Sequence, residues 1–319
     1  MARKPRVEYA GAIYHVMNRG DRREAVFKDD GDRNVFLTTL DEACRKTQWQ
    51  IHDCCLMPNH FHLVIETPQA NLVAGMKWLL GTYTSRFNRR HKEFGHLFSG
   101  RYKALIVDGS GNGYLKTVCD YVHLNPARAG LIAPAQALAE HPWSSYPSYL
   151  QPPGKRPRWL SVGRLLGEWR IPKDSQAGRQ MFACWMEQRR AHDPDAEFKG
   201  VERGWYLGDE IFRQELLEQV KEGPDASHFG EIMQEAAQAR AERLLAAGLK
   251  RRRWKEADLA GLRKGDPRKV VLARELRAGT TMPLAWIAQR LAMGSRGYLT
   301  WLLHRSPKQT KIKRPFYKI

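Results

Sequence analysis

Two histidines separated by one residue, His60 and His62, are the side chains in this sequence best placed to bind a metal ion together. They open the alternating run HFHLVIET, which predicts a β-strand that begins after the breaker Pro58-Asn59. Residues two apart on a strand project from the same face, so the two imidazoles would lie side by side. Such a pair supplies only part of a metal site, and an H-x-H motif alone does not establish one.

A second polar pair, Tyr121 and Asn125, lies in a segment with helical periodicity, YLKTVCDYVHLNPARAGL. Residues four apart share a helix face, so a phenol and an amide would be presented together. The amide oxygen can serve as a neutral metal ligand, while the phenol can attack phosphorus and form a covalent ester that keeps the bond energy for rejoining. Tyr114, seven residues earlier on the same face, is a rival nucleophile. Taken alone, Tyr121 fits a half-buried aromatic residue of a core-facing helix better than a nucleophile.

The segments that must position these residues alternate between strand and helix patterns. In chain order they are a strand at 12–18, a helix at 32–47, a hairpin that turns at Met57-Pro58-Asn59, a helix at 71–92, a strand at 96–107 and a helix that stops at Asn125-Pro126. The order βαββαβα predicts an α+β fold with a ferredoxin-like split βαβ sheet and helices on one face.

The C-terminal part contains three short amphipathic segments, RKVVLARELRAG, TTMPLAWIAQRLAMG and SRGYLTWLLHR. A tight turn at Met293-Gly294 separates the last two, and Ser295 is placed to cap the final helix. This arrangement predicts a helix-turn-helix whose final helix is the recognition helix. A plain three-helix bundle would have the same pattern.

The formal net charge of +19 indicates a polyanionic partner, because Lys and Arg supply most of the sequence-independent affinity for nucleic acids. Residues 250–319 carry 19 Lys and Arg against four Asp and Glu. A high charge can also serve solubility alone. No apolar stretch approaches the ~18 residues of a membrane span, and the five cysteines contain no C-x-x-C pair. We therefore expect a cytoplasmic protein without membrane contact, disulfide framework or cysteine zinc site.

Three blocks of sequence, in this order, resemble a known family: MPNHFHLVIETP, the GRYKA stretch at 100–104, and YVHLNPARAGL at 121–131. They are similar to the REP-associated tyrosine transposases, a domesticated branch of the single-tyrosine HUH transposases. The resemblance extends over residues 7–150. Some members of that family also have a C-terminal helix-turn-helix.

The resemblance implies a ferredoxin-like nuclease domain that uses Mg²⁺ or Mn²⁺. It places the metal on His60 and His62, the nucleophile on Tyr121, and the third metal ligand on Asn125, where mobile relatives often have Gln. The implied substrates are single-stranded hairpins of repetitive extragenic palindromes, cleaved beside a short tetranucleotide to give a 5′-phosphotyrosine and a free 3′-hydroxyl. The protein would act at the nucleoid as a monomer or a homodimer.

We expect three parts: the nuclease domain at 1–150, a linker with short helices at 151–230, and a basic helical domain with the helix-turn-helix at 231–319. Arg22 and Arg23 follow the first strand, and Tyr102 stands between two cations, a mixture suited to phosphate contact and base stacking. Each of these charges could also be an ordinary solvated loop residue. The residues predicted to contact DNA are Arg19, Asn59, Arg101, Lys103, Arg128 and Arg296.

Two other functions fit part of the pattern. A nuclease fold that has lost cleavage would be a DNA-binding regulator that uses its helix-turn-helix, although the complete set of histidine, tyrosine and asparagine residues argues against this loss. A metal hydrolase with a water nucleophile would need extra Asp or Glu ligands, and Glu66 lies too far along the strand. His15 could neighbour the site, but its context predicts an ordinary core histidine.

Overall fold

The structure is a computed structural model that describes residues 7–192, 195–202, 204–222 and 226–304. The chain divides into two compact units, Met1–Met233 and Gln234–Ile319. The last part of the predicted basic helical domain, residues 305–319, lies outside the described residues.

A five-stranded sheet forms the centre of the first unit. Its strands are β1 (Ala12–Arg19), β2 (Gln50–Met57), β3 (His60–Thr67), β4 (Lys103–Val107) and β5 (Tyr206–Leu207). Their order is β2-β3-β1-β4-β5, and all neighbours are antiparallel except β4 and β5, which are parallel. The first four strands have the connections and directions of a ferredoxin-like sheet, so the predicted fold class is confirmed.

Helices connect the strands and cover both faces of the sheet. In the first unit they are α1 (Asp30–Thr47), α2 (Leu72–His91), α3 (Tyr114–Arg128), α4 (Tyr146–Tyr149), α5 (Gly163–Glu168), α6 (Gln176–Ala191), α7 (Asp195–Glu202) and α8 (Glu210–Glu222). The side chain of Asp29 caps α1 by accepting a hydrogen bond from the N–H of Asp32, and the helix ends at Gln48 in the left-handed conformation.

The two faces of the sheet are covered by different helices, because strand residues alternate between them. Tyr14, Phe61 and Leu63 point toward α1 and α2 and are buried there. Val64 points to the opposite face, where it packs with Val118 of α3. The expectation that the helices lie on one face is therefore wrong for α3. Strands that are apolar on both faces need a cover on each, and α3 supplies the second.

Two element boundaries differ from the sequence-based expectation. The predicted strand at 96–107 is regular only over β4, because the residues before it form a loop in which Gly100 has a φ of 71°. The helix expected to stop at Asn125-Pro126 continues to Arg128. Proline removes its own N–H donor, and in the last turn of a helix few further hydrogen bonds depend on it.

Much of the described part of the segment 151–230, predicted as a linker, packs onto the first unit. Leu165 of α5, Phe182 of α6 and Phe198 of α7 are fully buried in the cluster that covers the α3 side of the sheet. β5 also comes from this segment and extends the sheet beside β4. The first compact unit consequently continues well beyond the boundary expected at residue 150.

The described part of the second unit contains α9 (Ala226–Arg252), which begins before the division between the units, α10 (Glu256–Gly261), α11 (Pro267–Gly279), α12 (Leu284–Arg290) and α13 (Arg296–His304). Their shared core includes Leu245, Leu272 and Leu299. Ser295 caps α13, since its hydroxyl accepts a hydrogen bond from the N–H of Tyr298 at 3.2 Å. In the described ranges of both units, no helix combines the length and the apolar character needed to cross a membrane.

Candidate active site

The two histidines of the H-x-H motif stand at the start of β3, on the sheet face that α3 covers. In the antiparallel pairing with β1, His60 lies opposite Arg19 and His62 lies opposite Met17. The ring centroids of the two histidines are 5.0 Å apart. His62 is buried, and His60 is partly exposed at the end of the strand. The two imidazoles therefore share a face of the sheet, with His62 buried and His60 at the edge of the site.

α3 brings Tyr121 against these imidazoles. The ring centroid of Tyr121 is 5.7 Å from that of His62 and 5.8 Å from that of His15 on β1, both in edge-to-face geometry. Phe198 of α7 packs on another side of the phenol ring, at 5.4 Å. Tyr114 lies seven residues earlier, which is roughly 10 Å along the helix axis. Of the two candidate nucleophiles, Tyr121 is the one that the fold places beside the histidines.

The surroundings of the Tyr121 hydroxyl raise its pKa overall but also contain groups that favour the phenolate. Burial raises the pKa above its ordinary value, and the carboxylate of Glu202 raises it further. Arg128, a hydrogen bond from Asn125, and Arg19 lower it. The Arg128 guanidinium lies 5.4 Å from the centre of the phenol ring and 3.5 Å from Glu202. The phenol is neutral at physiological pH and has cations in place for its anionic form.

Asn125 lies one turn beyond Tyr121 on α3 and is buried. Its side chain is hydrogen-bonded to the Tyr121 hydroxyl, which is the contact that lowers the pKa of the tyrosine. The amide therefore reaches the candidate nucleophile directly. Its role as a third metal ligand stays a prediction.

Asn59 precedes the first histidine, and both the nitrogen and the oxygen of its side-chain amide form hydrogen bonds within the protein. Its Nδ2 donates a hydrogen bond to the backbone carbonyl of Arg23 at 3.1 Å, while its Oδ1 lies 2.7 Å from Nδ1 of His60. We predicted from the sequence that Asn59 contacts DNA. In the structure the turn between β2 and β3 holds this amide against the histidine ring, and its contact with DNA stays a prediction.

His15 has a central place in the site, although its sequence context predicts an ordinary core residue. It is buried, its Nε2 lies 2.9 Å from Nδ1 of His62, and the two rings stack at an angle of 13°. Burial lowers the pKa of His15 to about 4. Burial and the charge of Arg19 lower the pKa of His60 to about 4, and burial holds the pKa of His62 well below its ordinary value. All three imidazoles are therefore neutral at physiological pH, the form that binds metals.

The ring nitrogens left open in this arrangement suit a divalent cation. Nε2 of His62 is buried and has no hydrogen-bond partner among the described residues. His60 uses Nδ1 for its contact with Asn59, which leaves Nε2 for a ligand. No three or more His, Cys, Asp or Glu side chains within the described ranges are grouped to hold a metal, and Glu66 is engaged with Arg164 at 2.8 Å. Two imidazole nitrogens completed by amide or substrate oxygens form a donor set for a divalent cation, and the identity of that cation stays a prediction.

A cluster of cations, hereafter the cation pocket, encloses about 340 Å³ at the end of β1, beside His60. It contains Arg19, Arg22, Arg23, Arg101 and Lys103. All five are exposed, and none forms an ion pair with another residue in the part of the chain that the structure describes. Arg22 and Arg23 have φ angles of 50° and 65°, which non-glycine residues adopt at a cost in energy. Five cations without ion-pair partners in the described part of the chain, two of them on a strained backbone, suit the binding of an anion.

The six residues predicted to contact DNA are thus dispersed. Arg19, Arg101 and Lys103 line the cation pocket, and Arg296 is exposed at the start of α13 in the second unit. The other two lie against the candidate catalytic side chains. Tyr102 is buried in the core, so it cannot stack on a base as the sequence suggested.

Sequence reasoning missed several residues that complete the site. Phe198 and Glu202 come from α7, in a segment predicted as a linker, and no local pattern marks them. For His15 the sequence does contain a partial signal. If β1 pairs with β3, either the odd-numbered or the even-numbered residues of β1 must lie on the same face as the histidines. That signal required the register of the pairing, which the sequence does not contain.

Comparison with known proteins finds one family model that is similar to this part of the chain. Residues 8–125 match the family model described as Transposase IS200 like. Among solved structures, one described as a REP-associated tyrosine transposase bound to a REP hairpin matches with 14% sequence identity and a TM-score of 0.39, over 50% of this chain and 92% of that chain. No curated protein sequence matches. The family match includes every candidate site residue from His15 to Asn125.

Proposed function

We propose that this chain, whose residues 8–125 match the model of the IS200-like transposase family, is a metal-dependent endonuclease and strand transferase for single-stranded DNA. Tyr121 is the nucleophile, and the metal is Mg²⁺ or Mn²⁺ held by His60 and His62 with Asn125 as the third ligand. The substrates are hairpins of the REP type, and the protein acts on them in the cytoplasm, at the nucleoid, as a monomer or a homodimer.

The observation that carries this proposal is the convergence of Tyr121 with His62 where α3 meets the sheet, with ring centroids 5.7 Å apart. Nε2 of His62 is buried there without a hydrogen-bond partner among the described residues, so it is available to a ligand. The cation pocket begins nearby, at Arg19, opposite His60. A phenol, open imidazole nitrogens and unpaired cations together suit phosphoryl transfer.

The reaction begins with attack of the Tyr121 oxygen on the scissile phosphorus. A bond forms between the phenolic oxygen and phosphorus, the bond from phosphorus to the 3′ oxygen breaks, the phenol gives up its proton, and the leaving oxygen takes up a proton. The number of phosphoester bonds is unchanged, so a 3′-hydroxyl can later attack the phosphotyrosine and restore a DNA strand. When bound, the divalent cation supplies polarisation of the phosphate. Arg19 and Arg128 favour the phenolate.

The cation pocket supports a DNA backbone as the ligand next to this centre. Lys103 lies opposite Met17, which in turn lies opposite His62, so the lysine and the histidine share a face two strand spacings apart, roughly 10 Å. A chain that passes from the pocket to Tyr121 would place neighbouring phosphates on Lys103 and Arg19. A single strand can bend into a pocket of this size, whereas a duplex holds its phosphates in a rigid array.

The test incubates the full-length protein with a labelled single-stranded REP-type hairpin and Mn²⁺ and looks for a covalent protein–DNA adduct on a denaturing gel. We expect the adduct with the wild type and with Tyr114→Phe, because Tyr114 lies two turns away from the histidines. We expect no adduct with Tyr121→Phe, and none with the wild type in EDTA.

Two outcomes would change the proposal. An adduct that persists in Tyr121→Phe would place the nucleophile elsewhere, with Tyr114 as the next residue to replace. Tight hairpin binding with no adduct in any variant would show that the chain is a DNA-binding regulator rather than a nuclease.

A separate observation favours DNA binding by the second unit. Tyr298 and Trp301 on α13 are 40% and 52% exposed, and their rings are nearly parallel with centroids 5.8 Å apart. Arg296, at the start of the same helix, is exposed. Three of the four acidic residues in 250–304 form ion pairs: Glu256 with Arg290, Asp266 with Arg268 and Glu275 with Arg252. The fourth, Asp258, accepts a hydrogen bond from the N–H of Lys255. Exposed aromatic rings beside cations suit bases and phosphates.

We propose that α12 and α13 form a DNA-binding helix-turn-helix that adds affinity to the nuclease unit. Replacing Arg296 and Trp301 together by alanine should weaken hairpin binding, measured by fluorescence anisotropy, while the adduct still forms at saturating DNA. Unchanged affinity would show instead that this unit is a helical bundle without a role in DNA binding.

A further inference from the structure

The arrangement of ring nitrogens in the candidate site carries a second conclusion, which rests on the proposed function. We propose that Asn59 and His15 are positioning residues that hold His60 and His62 in the Nδ1-protonated tautomer, so that both rings present an unprotonated Nε2 to the divalent cation. Neither Asn59 nor His15 binds the cation in this arrangement. Their effect on the reaction is exerted through the two rings.

The first half of this arrangement is fixed by the amide of Asn59. Its Nδ2 donates to the carbonyl of Arg23, so the end that faces His60 at 2.7 Å is the oxygen, Oδ1. An amide oxygen can only accept a hydrogen bond. Nδ1 of His60 must therefore carry the proton, and in a neutral imidazole the lone pair is then on Nε2.

The second half is the contact between His15 and His62, which allows two proton arrangements. Nε2 of His15 and Nδ1 of His62 are 2.9 Å apart, so one of them donates and the other accepts. If His15 donates, His62 carries its proton on Nε2 and cannot bind a metal. If His15 accepts, His62 is protonated on Nδ1 and its buried, unpartnered Nε2 is available. The tautomer of His15 thus decides whether the deep histidine is a ligand.

The packing of the rings also fixes the direction in which Nε2 of His62 points. The His15 ring stacks on the His62 ring at 13°, and Tyr121 meets the His62 ring edge-on at 5.7 Å. A flip of the His62 ring would break its hydrogen bond with His15 and leave a nitrogen without a partner in a buried site, which is costly. His15 is not itself the third ligand in this arrangement, because its Nε2 accepts from Nδ1 of His62 and its Nδ1 then carries the proton.

The variants that test this proposal separate the two ring nitrogens of His15. In His15→Gln the side-chain amide can reach the position of Nε2 and still accept a hydrogen bond, whereas in His15→Asn the shorter amide reaches only the position of Nδ1. Both are polar and of similar size, so they form a matched pair. For the other ring, Asn59→Asp keeps the acceptor and Asn59→Leu removes it.

The measurement is the affinity for Mn²⁺ by titration calorimetry, in the Tyr121→Phe background and without DNA. Loss of a group that orients a metal-binding histidine typically lowers metal affinity about 10- to 100-fold. We expect that loss for His15→Asn and Asn59→Leu, near wild-type affinity for His15→Gln, and an affinity no lower than wild type for Asn59→Asp, whose negative charge favours the cation. Equal affinities within each pair, at unchanged melting temperature, would overturn the proposal.

A second measurement needs no variant at these positions. Long-range ¹H–¹⁵N correlation of the metal-free protein reports which nitrogen of each histidine is protonated, and we expect Nδ1 for His60 and His62. Protonation of His62 on Nε2 would overturn the proposal. Neither measurement involves cleavage, so a failure here is distinguishable from a failure of the tyrosine nuclease assay, which has its own readout in the covalent adduct.

Discussion

At the start of β3, the two faces of the sheet in the first unit carry different kinds of side chain. On β3, Phe61 and Leu63 point to α1 and α2 and are surrounded by other buried apolar residues. His60 and His62, which alternate with them, point to α3 and meet polar rings and cations. A single strand can therefore serve stability with one set of alternate residues and chemistry with the other.

The difference between the faces is also a difference in what each residue contributes to the free energy of unfolding. A buried Phe or Leu stabilises by roughly 1.5–3 kcal/mol through removal of apolar surface from water. A buried imidazole with an unpartnered nitrogen, such as Nε2 of His62, costs about 1–3 kcal/mol that only a ligand can recover. The apolar residues of β3 can therefore stabilise the fold, while the two histidines at its start keep reactive groups unsatisfied.

The largest expected effect comes from His62→Ala. We expect Mn²⁺ affinity to fall by more than ~100-fold, beyond the loss seen when an orienting neighbour is removed. The covalent adduct should disappear with it. Calorimetry and the denaturing gel measure the two effects, and urea unfolding in EDTA should show a smaller loss of stability than Leu63→Ala causes. Retained Mn²⁺ affinity would remove His62 from the ligand set.

The neighbouring change on the opposite face, Leu63→Ala, is the matched control. It leaves a cavity under α1 and α2, so we expect the free energy of unfolding to fall by about 2–5 kcal/mol. Mn²⁺ affinity measured well below the melting temperature should be unchanged, because Leu63 faces away from the histidines. A loss of Mn²⁺ affinity equal to that of His62→Ala would show that the two faces are not separable.

Acid should lower the free energy of unfolding through the buried histidines of the candidate site. The pKa of His15 is about 4 in the folded state, below the ordinary value of 6.5, so the unfolded chain takes up the proton first. The stability associated with neutral His15 is fully present above pH 6.5 and is lost as the pH falls toward 4, by up to about 1.4 kcal/mol per pH unit. His60 contributes in the same direction.

Urea unfolding in EDTA between pH 7 and 4 measures this loss, and His15→Phe supplies the comparison. We expect a shallower decline for the variant, because phenylalanine has no proton to bind. Parallel curves for the two proteins would mean that His15 titrates normally in the folded state and is not enclosed by the protein.

The smallest expected effect tests the cation pocket. Replacing Arg101 and Lys103 by alanine should reduce the salt dependence of single-stranded DNA binding, seen as the slope of log K against log salt, by about 0.7 for each phosphate that is no longer neutralised. Lys28→Ala is the control, because Lys28 is exposed but already paired with Glu93. An equal change in slope for Lys28→Ala would mean that the pocket has no special place in DNA binding.

Local elements of this fold could be predicted from the sequence, whereas the surfaces on which they pack could not. The hairpin around Met57-Pro58-Asn59 and the ferredoxin-like order follow from local alternation and breakers, and the structure confirms both. The side of the sheet that α3 covers was predicted wrongly, since periodicity defines the apolar stripe of a helix but not the surface on which it packs. The helices after residue 150 were underestimated for the same reason, because the surface that buries them belongs to another part of the chain.

The sequence by itself determined which residues share a face: His60 with His62 on a strand, and Tyr121 with Asn125 on a helix. These relations depend only on the repeat of the backbone, which is local. The tertiary structure alone decided that the two pairs meet, that Asn59 and His15 hold the ring nitrogens, and that α7 covers the phenol. Those contacts depend on strand register and helix docking, which are set by the packing of residues far apart in the chain.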